Sequence, residues 1–237
     1  WFKKHSDIWR QNTALKYTDP QTYKERLKNY RTQIKNLAGQ WGADLTQREL
    51  GTYAERAMLF GWSEAQILDN IAKEVRPQGG SFKGGLASVE EELRRTAMNN
   101  GVRLNQKQLT KWMRRIVRGE ADVRQFETEI RKMSAKTFDA YGQEIIGGMD
   151  AIDVAAPYIQ SMSEILELNP ADVNLFDPTI RKALSFRDPK TKEPAPLSVA
   201  DFEDRLRADK RWQYTDGAHE QLTQYAVELG KMFGVLS

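Results

Sequence analysis

The chain has no cysteine, only two histidines and no long apolar run. Without cysteine there is no disulfide, no thiolate metal site and no cysteine nucleophile. The compartment stays open, because secreted proteins also occur without it. His5 and His219 are too few for a histidine-rich metal centre, and HExxH, GxSxG and CxxC are all missing. A Ser-His-Asp triad built on His219 would need a serine in a nucleophile elbow, and nothing places one. No stretch approaches the ~18 apolar residues of a membrane span. No stretch alternates convincingly every second residue, so strands are not expected. No cofactor is expected either. The first residue is Trp1 and no signal peptide is evident, so the chain is expected to be a piece of a longer one.

What is present is a length of 237 residues, 40% hydrophobic and 29% charged, enough to bury a core in one large or two small domains. A net charge of +3 does not by itself imply nucleic acid. The charge is unevenly placed, however. From Arg103 to Lys136 there are ten Lys/Arg against four Asp/Glu, whereas Asp139 to Pro178 contains no Lys or Arg. Seven carboxylates lie between Glu144 and Asp177. Pairing of the two blocks, within a chain or between subunits, is the first expectation.

Residues 34–73 and 93–132 align without a gap at an offset of 59, with eight identities: Ala38/Ala97, Gly42/Gly101, Leu45/Leu104, Gln47/Gln106, Leu50/Leu109, Arg56/Arg115, Ile71/Ile130 and Lys73/Lys132. In each copy a helix-ending Gly precedes a polar N-cap, Thr46 or Asn105, and then a helix carrying Leu50 and Tyr53 or Leu109 and Trp112. The expectation is an all-α multi-helix bundle of about ten helices that contains a duplicated three-helix unit. The copies should share one packing, with Leu45 on Leu104 and Tyr53 on Trp112.

Residues 1–77 then hold the N-terminal helices and the first copy, and 78–87 a flexible Gly-rich linker. The second copy occupies 88–148 and a C-terminal helical region 149–237. Within the linker, QGGSFKGG lacks the Walker spacing and a preceding strand, so a phosphate loop is set aside.

Helix starts are expected at Asp19-Pro20, Ser63 with Gln66, Ser88 with Glu91, Asp122, Pro157, Asn169-Pro170, Asp177-Pro178, Ser198 with Asp201, and Thr215 or Asp216. Tyr23, Leu27, Tyr30, Ile34, Leu37 and Trp41 form a 3.5-residue stripe, read as a bundle helix rather than an oligomeric coiled coil. The final helix carries Leu222, Tyr225, Ala226, Leu229, Met232 and Phe233. Residues 187–196 read as a turn or short hairpin.

Two sets of residues invite a functional reading. In QKQLTKWMRRIVRG, Lys107, Lys111, Arg114, Arg115 and Arg118 lie outside a helix whose Leu109, Trp112, Met113 and Ile116 face inward. They are candidates for a polyanion or partner contact, weighed against a solvated face over a core Trp. Glu144, Asp150, Asp153, Glu164 and Glu167 could serve carboxylate chemistry of the glycosidase kind, but cap and surface roles fit them better. No catalytic residue is assigned. FEDRLRADKRWQYTDGA is read as a clasp: Phe202 and Leu206 share a face that Trp212 covers. Asp201, Asp204 and Asp209 stand near Arg205, Arg207 and Arg211.

The order of short motifs resembles a protein family. WRQNTALKYTDPQTYKERL (9–27), the GW at 61–62 and APYIQSMSEILEL (156–168) are followed by FDPTIRKAL (176–184), FEDRLRADKRWQYTDGA (202–218) and LGKMFG (229–234). Together they resemble virion proteins of tailed bacteriophages, tail or internal, of the kind found in phages of actinobacteria. The resemblance covers essentially the whole chain. It implies a non-enzymatic structural part of the virion with an assembly and genome-delivery role, held with other virion proteins and as a homo-oligomer around a symmetry axis. It supplies no catalytic residue. Two alternatives remain, a cell-wall-degrading virion enzyme segment and a nucleic-acid-binding module making DNA contact through the 107–118 helix.

Overall fold

A computed structural model describes the backbone of residues 2–233 and the side chains of 7–233. Among these the chain is all helix: twelve α-helices, no strand, and two isolated bridges at Gln78–Ser81 and Arg187–Pro194. No described helix is long and apolar enough to cross a membrane. The helices are α1 (Phe2–Thr18), α2 (Pro20–Trp41), α3 (Gln47–Phe60), α4 (Glu64–Glu74), α5 (Gly85–Asn99) and α6 (Gln106–Val117). Then come α7 (Val123–Thr137), α8 (Gly142–Ile146), α9 (Ala151–Ile165), α10 (Pro178–Leu184), α11 (Val199–Arg207) and α12 (Asp216–Met232).

The chain divides into two compact units, Trp1–Arg95 with Leu104–Glu127, and Thr96–Arg103 with Thr128–Ser237. This differs from the expected division at 78–87, because that run is built into the first unit. Phe82 and Leu86 are buried, and the Phe82 N–H donates to Glu90 Oε2 at 2.7 Å. The glycines allow close approach to the end of α2: a Cβ on Gly42 would fall 1.9 Å from the Lys83 carbonyl oxygen, and one on Gly84 2.7 Å from the Gly42 nitrogen. Ser88 consequently sits inside α5 and donates to the Gly85 carbonyl instead of capping the helix.

In the first unit α2 packs along α3, α1 lies against both, and α4 packs on α6. Ile34, Leu50, Met58, Ile67, Ile71, Leu109 and Met113 are buried there. The α2 stripe therefore faces a neighbouring helix of its own bundle, as expected of a bundle helix.

The repeat recurs in local structure. The Ala43 N–H bonds the Ala38 carbonyl and the Val102 N–H the Ala97 carbonyl, while Gly42 and Gly101 are both left-handed. Thr46 with Glu49 and Asn105 with Gln108 form capping boxes. Ser63 with Gln66 and Asp122 with Gln125 repeat the device one helix later. Shared packing does not follow. α3 lies along α2, but α6 takes α4 as its main partner rather than α5, and the second copy is divided between the units. The reason lies in side-chain size. Ala54 and Ala57, fully buried, let α2 come close, whereas their counterparts are Met113 and Ile116.

The second unit centres on α9, which packs on α10 and α11 with Tyr158 edge-on to Phe202 at 5.3 Å. α9 begins at Ala151, six residues before the expected start at Pro157. Ala151, Ala155, Tyr158 and Met162 form one buried stripe, and that packing outweighs the hydrogen bond a proline forfeits.

Candidate functional site

The Asn105 capping box starts α6 cleanly, and Leu109, Met113 and Val117 bury one face of it. Trp112 and Ile116, expected inside, are only half-buried. The opposite face places Lys107, Lys111, Arg114, Arg115 and Arg118 along one shallow groove of about 820 Å³. All five candidates are thus brought together, but they do different things.

Arg114 donates from Nε to the Val75 carbonyl at 3.2 Å and from its terminal nitrogen to the Lys73 carbonyl at 3.1 Å. Those carbonyls are orphans of the α4 C-terminus, so Arg114 is a helix cap supplied from another helix. Arg118 stands 3.0 Å from Asp69 through Nε, an ion pair whose N–H is not aimed at the carboxylate, and 3.8 Å from Glu120. Arg115 lies over the Trp112 ring at 4.4 Å, and Trp112 meets Phe126 edge-on at 5.2 Å. Lys107 and Lys111 are exposed and in no ion pair among the described residues.

No protein-family model, curated protein or solved structure matches the chain.

The acidic candidates have mostly structural partners. Asp150 accepts from Asn100 Nδ2 at 3.0 Å and pairs with Arg131 at 3.2 Å. Glu167, itself left-handed at φ 51°, accepts the Asp216 and Gly217 N–H groups, both at 2.9 Å, at the first turn of α12. Those two N–H groups hold its carboxyl below the usual range. Glu164 accepts from Gln160 at 2.9 Å. Glu164 and Asp153 line a groove of about 470 Å³ along α9 that Ile152 and Ile159 also line, and Glu144 is exposed. Among the described residues no three His, Cys, Asp or Glu are grouped to hold a metal. His219 is exposed on α12, and the His5 side chain lies outside the described residues.

Three features escaped the sequence reading. Glu90 is buried against the Phe82 N–H and Arg94, and Asn100 is buried against Asp150. The third is on α12, where Leu222, Tyr225, Leu229, Met232 and Phe233 are 62, 55, 52, 82 and 76% exposed. Each was expected in a helix, and all but Phe233, the C-cap, are in one. Nothing in a periodic stripe says whether its partner lies in the same chain.

Proposed function

We propose that this chain is a structural component of a tailed-phage virion, non-enzymatic in this region, which assembles through α12. The observation that carries the assembly reading is the uncovered seam of α12. Leu222, Tyr225, Leu229 and Met232 follow one another in steps of three, four and three, the 3.5-residue spacing of a helix that packs along another helix. Copies of one helix around an axis meet through the same side chains, so a single seam serves every subunit. Burying a Leu, Met or Phe contributes on the order of 2 kcal/mol, and the seam offers several per subunit. The phage assignment rests on the motif order from residue 9 to residue 234.

Two experiments test it. Mass spectrometry of purified particles from the phage that encodes this chain should detect it as a virion component, and its absence would refute the assignment. A turbidity assay on bacterial cell walls should show no clearing. Clearing that disappears in Asp153→Asn or Glu164→Gln would make the chain a muralytic enzyme instead.

A further inference from the structure

The α6 groove gathers five cations, and among the described residues its two lysines pair with no carboxylate. Lys107, Lys111 and Arg115 follow at four-residue steps, so they stand about 6 Å apart in one row about 12 Å long. Among the described residues neither lysine has a partner, and Arg115 is held only by the face of the Trp112 ring. Arg114 adds to the field, since the two carbonyls it bonds are uncharged. Arg118 is offset by Asp69, and Glu120 is the one carboxylate lining the groove.

The lining chooses the kind of partner. Pro77 is the only apolar residue of the groove, and Asn105, Gln108 and Thr110 supply amides and a hydroxyl between the cations. Protein interfaces concentrate aromatic and apolar side chains and Arg at their centre and are depleted of lysine; this groove shares the Arg but adds two lysines and has no aromatic in its lining. Phosphate backbones are bound by rows of Lys and Arg with Asn, Gln and Thr between them. One strand of a duplex advances ~3.4 Å per phosphate along its axis, so a 12 Å row spans roughly three to four phosphates. Stacking on Trp112 restrains Arg115 beforehand and lowers the cost of ordering it.

We propose that the α6 groove binds the phosphate backbone of a nucleic acid, without reading its sequence, through Lys107, Lys111 and Arg115. This surface shares no residue with the α12 seam, so either proposal can fail without the other.

Fluorescence anisotropy on the full chain tests it, with a labelled DNA duplex, single-stranded DNA and duplex RNA, each of about 20 nucleotides per strand and mixed sequence. The logarithm of the binding constant should fall linearly with the logarithm of salt for at least one of the three. In the triple variant K107Q/K111Q/R115Q the duplex slope should shrink by about 2 to 3, at ~0.9 per lost phosphate contact, and affinity at low salt should drop tenfold or more. K107Q/K111Q changes only exposed, unpaired side chains and should show about two thirds of that loss with unchanged melting. K190Q/K192Q, which removes two exposed lysines from the 187–196 turn, should bind as the parent does. The proposal is overturned if none of the three probes binds at about 50 mM salt, or if the triple variant keeps its slope and affinity. It is also overturned if the triple variant loses self-association while still binding nucleic acid, because the groove would then be a protein contact.

Discussion

Arg211 is the side chain that ties the C-terminal segment together. It donates to both oxygens of Asp209, at 3.0 and 2.8 Å, to Asp177 at 3.2 Å and to the Thr179 hydroxyl at 2.9 Å. Asp177 is the N-cap of α10, so one guanidinium joins that cap to the turn after α11. The expected clasp is present in its apolar part, with Phe202 and Leu206 buried and Trp212 half-buried against the same core. The charges are shared out differently. Asp201 accepts from the Ser198 hydroxyl, and Asp204 pairs with an Arg207 whose side chain is 45% exposed. Arg207→Ala should therefore cost less than about 1 kcal/mol. Arg211→Ala and Trp212→Ala should each cost roughly 2 kcal/mol, measured by urea unfolding. At Arg211 hydrogen bonds and ion pairs thus rival the packing of Trp212. Hydrogen bonds from Arg211 hold the Asp209 carboxyl below its ordinary range. A depressed carboxyl contributes stability that is complete above its unfolded pKa of ~3.9 and lost as pH falls through the lower folded value. The stability difference between the parent and Asp209→Asn should accordingly shrink as pH falls from about 5 through that range. A difference that stays constant would show that the pair is not coupled to protonation.

At the scale of elements, what repeats is what neighbouring residues decide. Thr46 and Asn105 cap α3 and α6 in the same way, and alanine at either should cost about 1 kcal/mol by thermal or urea unfolding. Two costs that differ severalfold would mean that tertiary context, and not the cap, sets them. Gly42 and Gly79 separate conformation from space. Both are left-handed, but a Cβ on Gly79 meets nothing within 4 Å, whereas one on Gly42 overlaps the Lys83 carbonyl. Gly79→Ala should cost about 1 kcal/mol of backbone strain and Gly42→Ala several times that. Caps and left-handed glycines were legible because Asp19-Pro20, Ser63 with Gln66 and Ser198 with Asp201 act within one turn of chain. Ser88 with Glu91 looked equivalent and was not, because α5 starts four residues earlier, where Gly84 packs against Gly42. Pro157 misled for a related reason, since the stripe from Ala151 to Met162 could be weighed only once its buried neighbours were known. In the groove, residue types and helix face were readable from spacing. That Arg114 caps α4 and Arg118 meets Asp69 was not, because the partners lie about forty and about fifty residues away in the chain.

At the scale of the whole molecule, α12 is a seam without a partner among the described residues. A 17-residue helix is about 26 Å long, and helices in proteins are stabilised mainly by packing one face, yet among the described residues α12 buries Ala218 and little else. Association would supply the missing burial, and the proposed occupant is the same helix of another copy. Sedimentation velocity across about 1 to 100 μM is the most direct measurement. The parent chain should sediment as a concentration-dependent oligomer, whereas Leu222→Glu/Leu229→Glu should stay monomeric, since charge in the seam opposes its burial. Circular dichroism should show the remaining helices intact in that variant. A parent chain that remains monomeric throughout, or a variant that assembles as the parent does, would contradict the account.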